Sequence, residues 1–128
     1  MTNKPLQQKA PQLARMITEL YQKMIAQKEY IISKQLFRSG TSIGANEAEA
    51  QSAASKRDFI AKLIISNKEC NETLYWLKLI HDTQIVSINV AKEIKLAQDI
   101  SNLLHSIIKT AQENLAKEEK EKSNNIKN

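Results

Sequence analysis

The sequence predicts an all-α protein, an antiparallel up-down-up-down four-helix bundle. Its 128 residues are enough for one domain with one sizeable core. Only two Gly and two Pro are present, far below ordinary usage of about 7% and 5%. Because sandwiches and barrels need frequent turns built on such residues, all-β folds are close to excluded. No Gly-rich run exists, which excludes a Rossmann or P-loop nucleotide site.

The first helix is predicted over residues 11–27, with Pro11 in its first turn. Its apolar side chains recur at three- and four-residue steps: Leu13, Met16, Ile17, Leu20, Met24 and Ile25. Residues 1–10 are predicted to be a flexible leader. They contain no apolar secretory segment, and no stretch of the chain reaches the roughly 18–20 apolar residues of a membrane span. We therefore expect a cytoplasmic protein that does not contact a membrane.

The second helix is predicted over residues 30–53. Its apolar stripe is interrupted by small and polar side chains, and Gly40 and Gly44 share one of its sides. Each glycine costs about 1 kcal/mol relative to Ala in a helix interior. The two glycines are either tolerated weak points or places where another backbone comes close, and we favour the second interpretation.

The third and fourth helices complete the predicted bundle, which spans residues 11–116. Ser55 is the expected N-cap of the third helix, which runs to about Asp82. Residues 83–89 form a connection, and Ser87 or Asn89 caps a fourth helix whose stripe runs from Val90 to Leu115. Residues 117–128 have no stripe and alternate in charge, so we expect a charged tail that frays.

The net charge of +5 is unevenly distributed. Residues 1–68 hold 11 basic and 5 acidic side chains, whereas residues 69–128 hold 8 basic and 9 acidic ones. A basic half favours an anionic partner, nucleic acid above all, although solubility alone would also explain it.

Three segments of the chain resemble a known family. They are residues 34–50 (KQLFRSGTSIGANEAEA), 55–59 (SKRDF) and 68–80 (KECNETLYWLKLI). Their order and spacing are similar to those of the bacterial 23S rRNA intervening-sequence proteins. The second-helix motif of that family is matched by Gln35, Leu36, Arg38, Ser39, Ser42, Ile43, Ala45, Asn46, Glu49 and Ala50. The later motifs are matched by Ser55, Asp58, Phe59, Lys68, Glu69, Glu72, Trp76 and Leu77.

The resemblance implies a small four-helix bundle that assembles as a homopentamer and carries no enzyme activity. Some members of the family are encoded inside insertions in 23S rRNA genes. Related bundles are accessory proteins to the reverse transcriptases of diversity-generating retroelements and associate with nucleic acid. A ribosomal component or a reverse transcriptase is thus an expected partner, beside RNA or DNA and further copies of the chain itself.

The resemblance also places a set of polar residues inside a packing motif. We expect them to make contacts between helices or subunits: Arg38, Ser39, Asn46, Glu47, Glu49, Glu69 and Glu72. Glu47 departs from the family pattern, in which this position is aliphatic, and it lies on the apolar stripe. An isolated buried carboxylate is costly. We therefore predict that Glu47 pairs with Lys or Arg, or faces an opening in the bundle or in its assembly.

No catalytic, metal or cofactor site is predicted. His81 and His105 lack the Glu-x-x-His spacing of di-iron bundles, and Cys70 lies on a stripe as a small core residue. Glu49, Glu69 and Glu72 could form an acid pair or a metal site. Polar contacts between helices or subunits, with Arg38, Lys68 or Asn46, explain them better.

Backbone-driven binding of nucleic acid is the function we expect, because aromatic residues for base stacking are scarce. The candidate phosphate contacts are Lys34, Arg38, Lys56, Arg57, Lys62 and Lys68, of which Arg38 also has a structural alternative. The alternative function is an assembly scaffold that recruits a protein, such as a reverse transcriptase, without touching nucleic acid.

Overall fold

Four α-helices form a closed ring in the computed structural model, which describes residues 3–127 and the side chains of residues 3–126. They are α1 (Lys4–Ala26), α2 (Ile32–Gln51), α3 (Lys56–Thr83) and α4 (Ala91–Lys127). Each helix packs against its sequence neighbours, and α4 closes the ring against α1. Short connections between adjacent helices make them antiparallel, which confirms the predicted all-α four-helix bundle.

The first helix begins at Lys4, seven residues before the predicted start at residue 11. The Asn3 side chain caps it by accepting a 3.0 Å hydrogen bond from the Leu6 N–H. Pro11 lies on the exposed side within the helix instead of opening it. Leu6 is only 1% exposed and Ala10 is fully buried, so the apolar stripe continues backwards past Pro11. Residues 4–10 therefore belong to the bundle and not to a flexible leader. Residues 1 and 2 lie outside the described chain.

The start of α2 is fixed by a side chain that precedes it. The Glu29 carboxylate accepts hydrogen bonds from the N–H groups of Ile31, Ile32 and Ser33 at 3.1, 3.0 and 2.7 Å. Partial burial alone would raise the pKa of Glu29, but these backbone donors outweigh it and hold the pKa below its ordinary value. Lys28 turns the chain with φ of 64°, in the left-handed region. No Gly or Pro is needed at this connection.

The later helices start at capping side chains. Ser55 Oγ accepts a 3.1 Å hydrogen bond from the Asp58 N–H at the start of α3. Asn89 Oδ1 accepts one of 2.9 Å from the Ala91 N–H at the start of α4. The two connections at this end of the bundle also touch, since Gln27 accepts from the Ser87 N–H at 2.8 Å. Of the two predicted caps of α4, the structure uses Asn89.

The fourth helix is the longest and continues to Lys127. Its side chains beyond Leu115 are exposed up to Ile126, as expected for a segment without an apolar stripe. Residue 128 of the predicted tail lies outside the described chain. None of the helices in the described part is long and apolar enough to cross a membrane.

The core contains the one cysteine of the chain. Cys70 is fully buried, and its thiol donates to the Ala97 carbonyl of α4 at 3.3 Å. Burial raises the pKa of the Cys70 thiol to about 11.

The glycines of α2 face α1, each in a different way. A Cβ at Gly44 would lie 3.6 Å from the Ala10 Cβ and 3.7 Å from its backbone carbon, so the two helices approach closely there. A Cβ at Gly40 would lie 2.9 Å from both Cγ atoms of Ile17, which is a clash. A neighbouring backbone therefore comes close at Gly44, whereas a buried side chain fills the space at Gly40.

Candidate nucleic-acid interface

The α2–α3 interface holds most of the polar residues singled out in the sequence. The hydroxyl groups of Ser39 and Thr73 are buried 2.9 Å apart between the two helices. Ser66 of α3, also buried, donates to the Ile43 carbonyl of α2 at 2.7 Å. Asn46 stays within α2 and donates to the Ser42 carbonyl at 2.9 Å. These contacts satisfy polar groups inside the core and fix the register of α2 on α3.

Ser66 and Thr73 were not anticipated as partners. Ser66 follows the buried Leu63 by three residues, and Thr73 follows the buried Cys70 by three, so both lie on the inward side of α3. A polar residue at a core position of a helix is the signal that would have identified them.

Arg38 is clamped by two carboxylates of α3. Its guanidinium donates to Glu69 at 3.2 Å and to both oxygens of Glu72 at 2.6 Å. Trp76 adds a 3.4 Å hydrogen bond to Glu72. The Arg38 hydrogen bonds outweigh partial burial and hold the pKa of Glu72 below its ordinary value. Two carboxylates of α3 therefore engage the Arg38 guanidinium within the single chain.

Three other predicted phosphate contacts also have carboxylate partners. Lys62 of α3 lies 3.2 Å from Glu49 of α2. Lys56 pairs with Glu118, and Arg57 pairs with Glu119 of the α4 tail. The described residues provide no such partner for Lys34 or Lys68, although Lys68 is near enough to Glu72 to lower its pKa further. Four of the six predicted phosphate contacts therefore have carboxylate partners within the described chain.

Glu47 is buried, with 5% of its surface exposed. Burial raises the pKa of its carboxyl group, and a hydrogen bond from the side-chain amide of Gln51, 3.0 Å long, offsets part of that rise. The polar partner of Glu47 in the described chain is thus the amide one helical turn later and not the predicted Lys or Arg. The other predicted arrangement, an opening in the bundle or in its assembly, stays a prediction. The same carboxyl group, when protonated, is neutral and compatible with the core.

Open positive charge lies elsewhere, at the connection between α1 and α2. Residues 4–34 contain six Lys or Arg and two Glu. We define the connection lysines as Lys23, Lys28 and Lys34, all three exposed. None of them forms an ion pair with a carboxylate of the described residues. Glu29, the acidic residue between them, has its carboxylate turned to the N–H groups of α2.

Sequence reasoning selected Lys34 but missed Lys23 and Lys28. The charge count of the first half was the available signal, but it did not show which cations would pair with the acidic residues of α2, α3 and α4. In the described part of the chain, no three His, Cys, Asp or Glu side chains are grouped so as to hold a metal ion.

The comparisons with known proteins agree with the helical motifs. The family model of the 23S rRNA-intervening sequence protein matches residues 3–109. The chain belongs to this family. Neither that description nor the solved relative below names a catalytic activity. A comparison with curated proteins gives no match.

A similar protein with a solved structure has the same fold. It is a protein of unknown function of the S23 ribosomal protein family from Bacteroides thetaiotaomicron, and it is 45% identical in sequence. The match covers 81% of this chain and 98% of that one, with a TM-score of 0.76. The family match begins at residue 3, so it includes residues 4–10 at the start of α1, which the sequence predicts to be part of a flexible leader.

Proposed function

We propose that this protein is a non-catalytic, basic, oligomeric helical bundle of the cytoplasm that binds nucleic acid through the phosphate backbone. The observation that carries the proposal is the open charge of the connection lysines, with Glu29 turned away to cap α2. Such a surface contacts phosphates without reading bases, so binding tolerates sequence changes and weakens steeply with salt.

RNA is the first probe to use. The family description refers to an intervening sequence of 23S rRNA, and the solved relative is placed in a ribosomal protein family. The first name refers to ribosomal RNA and the second to the ribosome. A duplex DNA of the same length serves as the comparison.

The proposed function is tested by titrating labelled single-stranded RNA at several salt concentrations. We expect Lys23→Gln/Lys28→Gln/Lys34→Gln to weaken binding and to reduce the salt slope by about 2 per protomer, since each lost phosphate contact on single strands contributes about 0.7. The matched control is Lys4→Gln/Lys78→Gln/Lys109→Gln, which removes the same charge from exposed positions outside the connection lysines and outside residues 117–128. Equal losses of RNA affinity in both triple variants would mean that net charge alone causes the effect. Absence of binding at low salt would refute the proposal.

Arg38 provides a second comparison. Because Glu69 and Glu72 already engage its guanidinium, Arg38→Gln should lower stability and leave RNA affinity nearly unchanged. A loss of RNA affinity as large as that of the connection-lysine variant would mean that Arg38 leaves its carboxylates to contact phosphate.

The oligomeric part of the proposal, a homopentamer, is supported by apolar side chains on the outer side of α3. Ile64, Ile65 and Tyr75 are 46%, 42% and 61% exposed in the single chain. Contact with another copy would cover them. Light scattering should give the mass of five chains, and Ile64→Lys/Ile65→Lys should lower it. A monomeric wild-type protein would contradict the assembly.

The same exposed apolar surface favours the alternative function, a scaffold that recruits a protein such as a reverse transcriptase or a ribosomal component. Its distinguishing result is co-purification of that protein after nuclease treatment, together with no affinity of the pure bundle for RNA or DNA. Retention of the partner that depends on intact nucleic acid would favour the first proposal instead.

A further inference from the structure

The tail of α4 lies across the start of α3. We define the tail as residues 117–126. Two successive acidic residues of the tail, Glu118 and Glu119, pair with two successive basic residues of α3, Lys56 and Arg57. Because α3 and α4 are antiparallel, the part of the tail beyond Glu119 continues past the first residue of α3. At about 1.5 Å per residue it extends roughly 12 Å to the end of the helix at Lys127.

Little else holds the tail against the bundle. Leu115 is the last partly buried side chain of α4, and every described side chain after it is exposed. The four paired side chains are themselves 43–72% exposed. Exposed ion pairs contribute little to stability and are screened by salt, so another anion can compete for the same cations.

Charge complementarity identifies the kind of anion that would replace the tail. Lys56 and Arg57 are consecutive, and in the described chain their carboxylate partners come from the tail alone. The tail presents two carboxylates to two cations, as a strand of nucleic acid would present two successive phosphates. Arg and Lys both bind phosphate well, and Arg does so in a bidentate manner.

We propose that the α4 tail is an intramolecular competitor of nucleic acid, which covers Lys56 and Arg57 until a phosphate backbone displaces Glu118 and Glu119. The inference rests on the proposed function, because it adds a covered second contact to the open connection lysines. It predicts that the wild-type chain binds RNA more weakly than a chain in which Lys56 and Arg57 are uncovered.

The test compares two double variants that remove the same charge from α4. Glu118→Gln/Glu119→Gln uncovers the basic pair. The control, Glu113→Gln/Glu121→Gln, changes exposed residues that pair with no cation of the described chain. With a labelled single-stranded RNA, the first variant should bind about fivefold to tenfold more tightly than the control at low salt. Its salt slope should steepen by about 1.4 per protomer, for two added phosphate contacts.

A double-mutant cycle tests the coupling itself. In the wild-type background, Lys56→Gln/Arg57→Gln should cost less affinity than in the uncovered background, because breaking the ion pairs to Glu118 and Glu119 offsets part of the gain from phosphate contact. In the Glu118→Gln/Glu119→Gln background, the same change should abolish the whole gain. Equal losses in the two backgrounds would overturn the inference, as would a gain no larger than that of the control.

Failure of the inference is distinguishable from failure of the proposed function. Salt-sensitive binding by the wild type with no extra gain on uncovering leaves the proposed function standing and refutes the tail's role. No binding at low salt by either the wild type or the uncovered variant refutes both. Amide hydrogen exchange gives an independent readout, because residues 117–126 should exchange faster when RNA is bound, and unchanged exchange would contradict displacement.

Discussion

The two glycines of α2 form a matched pair in which the same substitution should have opposite effects. Gly40 and Gly44 lie one turn apart on the side that faces α1. Replacing either with Ala gains helix propensity, worth about 0.4–1 kcal/mol where the new Cβ fits without strain. At Gly44 it does fit, because its nearest neighbours are at 3.6–3.8 Å, which is ordinary contact. Gly44→Ala should therefore stabilise the protein.

At Gly40 the new Cβ would be 2.9 Å from Cγ1 and Cγ2 of Ile17. Ile17 is fully buried and branched at Cβ, so a change of rotamer cannot move both atoms away. Overpacking of this kind costs about 1–3 kcal/mol, and the propensity gain of about 1 kcal/mol offsets only part of it. Gly40→Ala should lose up to about 2 kcal/mol, and the two variants should differ by about 1–3 kcal/mol.

The assay is urea unfolding followed by circular dichroism, with both variants and the wild type at one protomer concentration because assembly shifts apparent stability. With an m-value of about 2 kcal/mol/M, the midpoints of the two variants should differ by roughly 0.5–1.5 M urea. A Gly40→Ala protein as stable as Gly44→Ala would refute the packing argument. In an Ile17→Ala background the clash is removed, and Gly40→Ala should then become stabilising.

Three further predictions concern stability. Because the pKa of Glu47 is raised on folding, its contribution to the free energy of unfolding is complete below its unfolded pKa and is lost as pH rises through its folded pKa. Glu47→Gln should therefore raise the urea midpoint at neutral pH but not in acid. A lower midpoint at neutral pH would contradict this. The pKa of Glu29 is lowered on folding, so its contribution to the free energy of unfolding is present above the unfolded pKa and is lost as pH falls through the folded pKa. Glu29→Gln should cost about 0.5–1 kcal/mol at neutral pH, and a loss that persists unchanged in acid would count against the cap. Leu6→Ala should cost about 2–5 kcal/mol in thermal or urea unfolding, whereas a truly flexible leader would show no change.

The periodicity of apolar residues predicted the number of helices, their order and their class. It located α3 well because Ser55 is a clear cap, and it located α4 because the stripe from Val90 to Leu115 has no break. It failed at the start of α1. There Pro11 suggested a first-turn position, and the buried Leu6 and Ala10 lay on the far side of it. Packing of those two residues outweighs the hydrogen bond that Pro11 cannot donate.

The candidate site was less predictable, because the partner of a charged residue depends on how helices are aligned. The sequence predicts Lys56 and Arg57 as phosphate contacts, yet their carboxylate partners are 62 residues away in the tail that it predicts to fray. Only the length of α4 and its register on α3 bring the tail to them. The partner of Glu47, by contrast, was within reach of sequence reasoning, since Gln51 follows it by one helical turn.

The burial of Cys70 gives this protein an internal reporter of its own opening. A thiol with a pKa of about 11, fully buried and bonded to the Ala97 carbonyl, does not react with an aqueous alkylating agent while the helices stay packed. Because the chain has one cysteine, each modified molecule records one separation of α3 from α4. When reclosing is faster than alkylation, the rate divided by that of an unprotected thiol gives the free energy of that separation, without an introduced label.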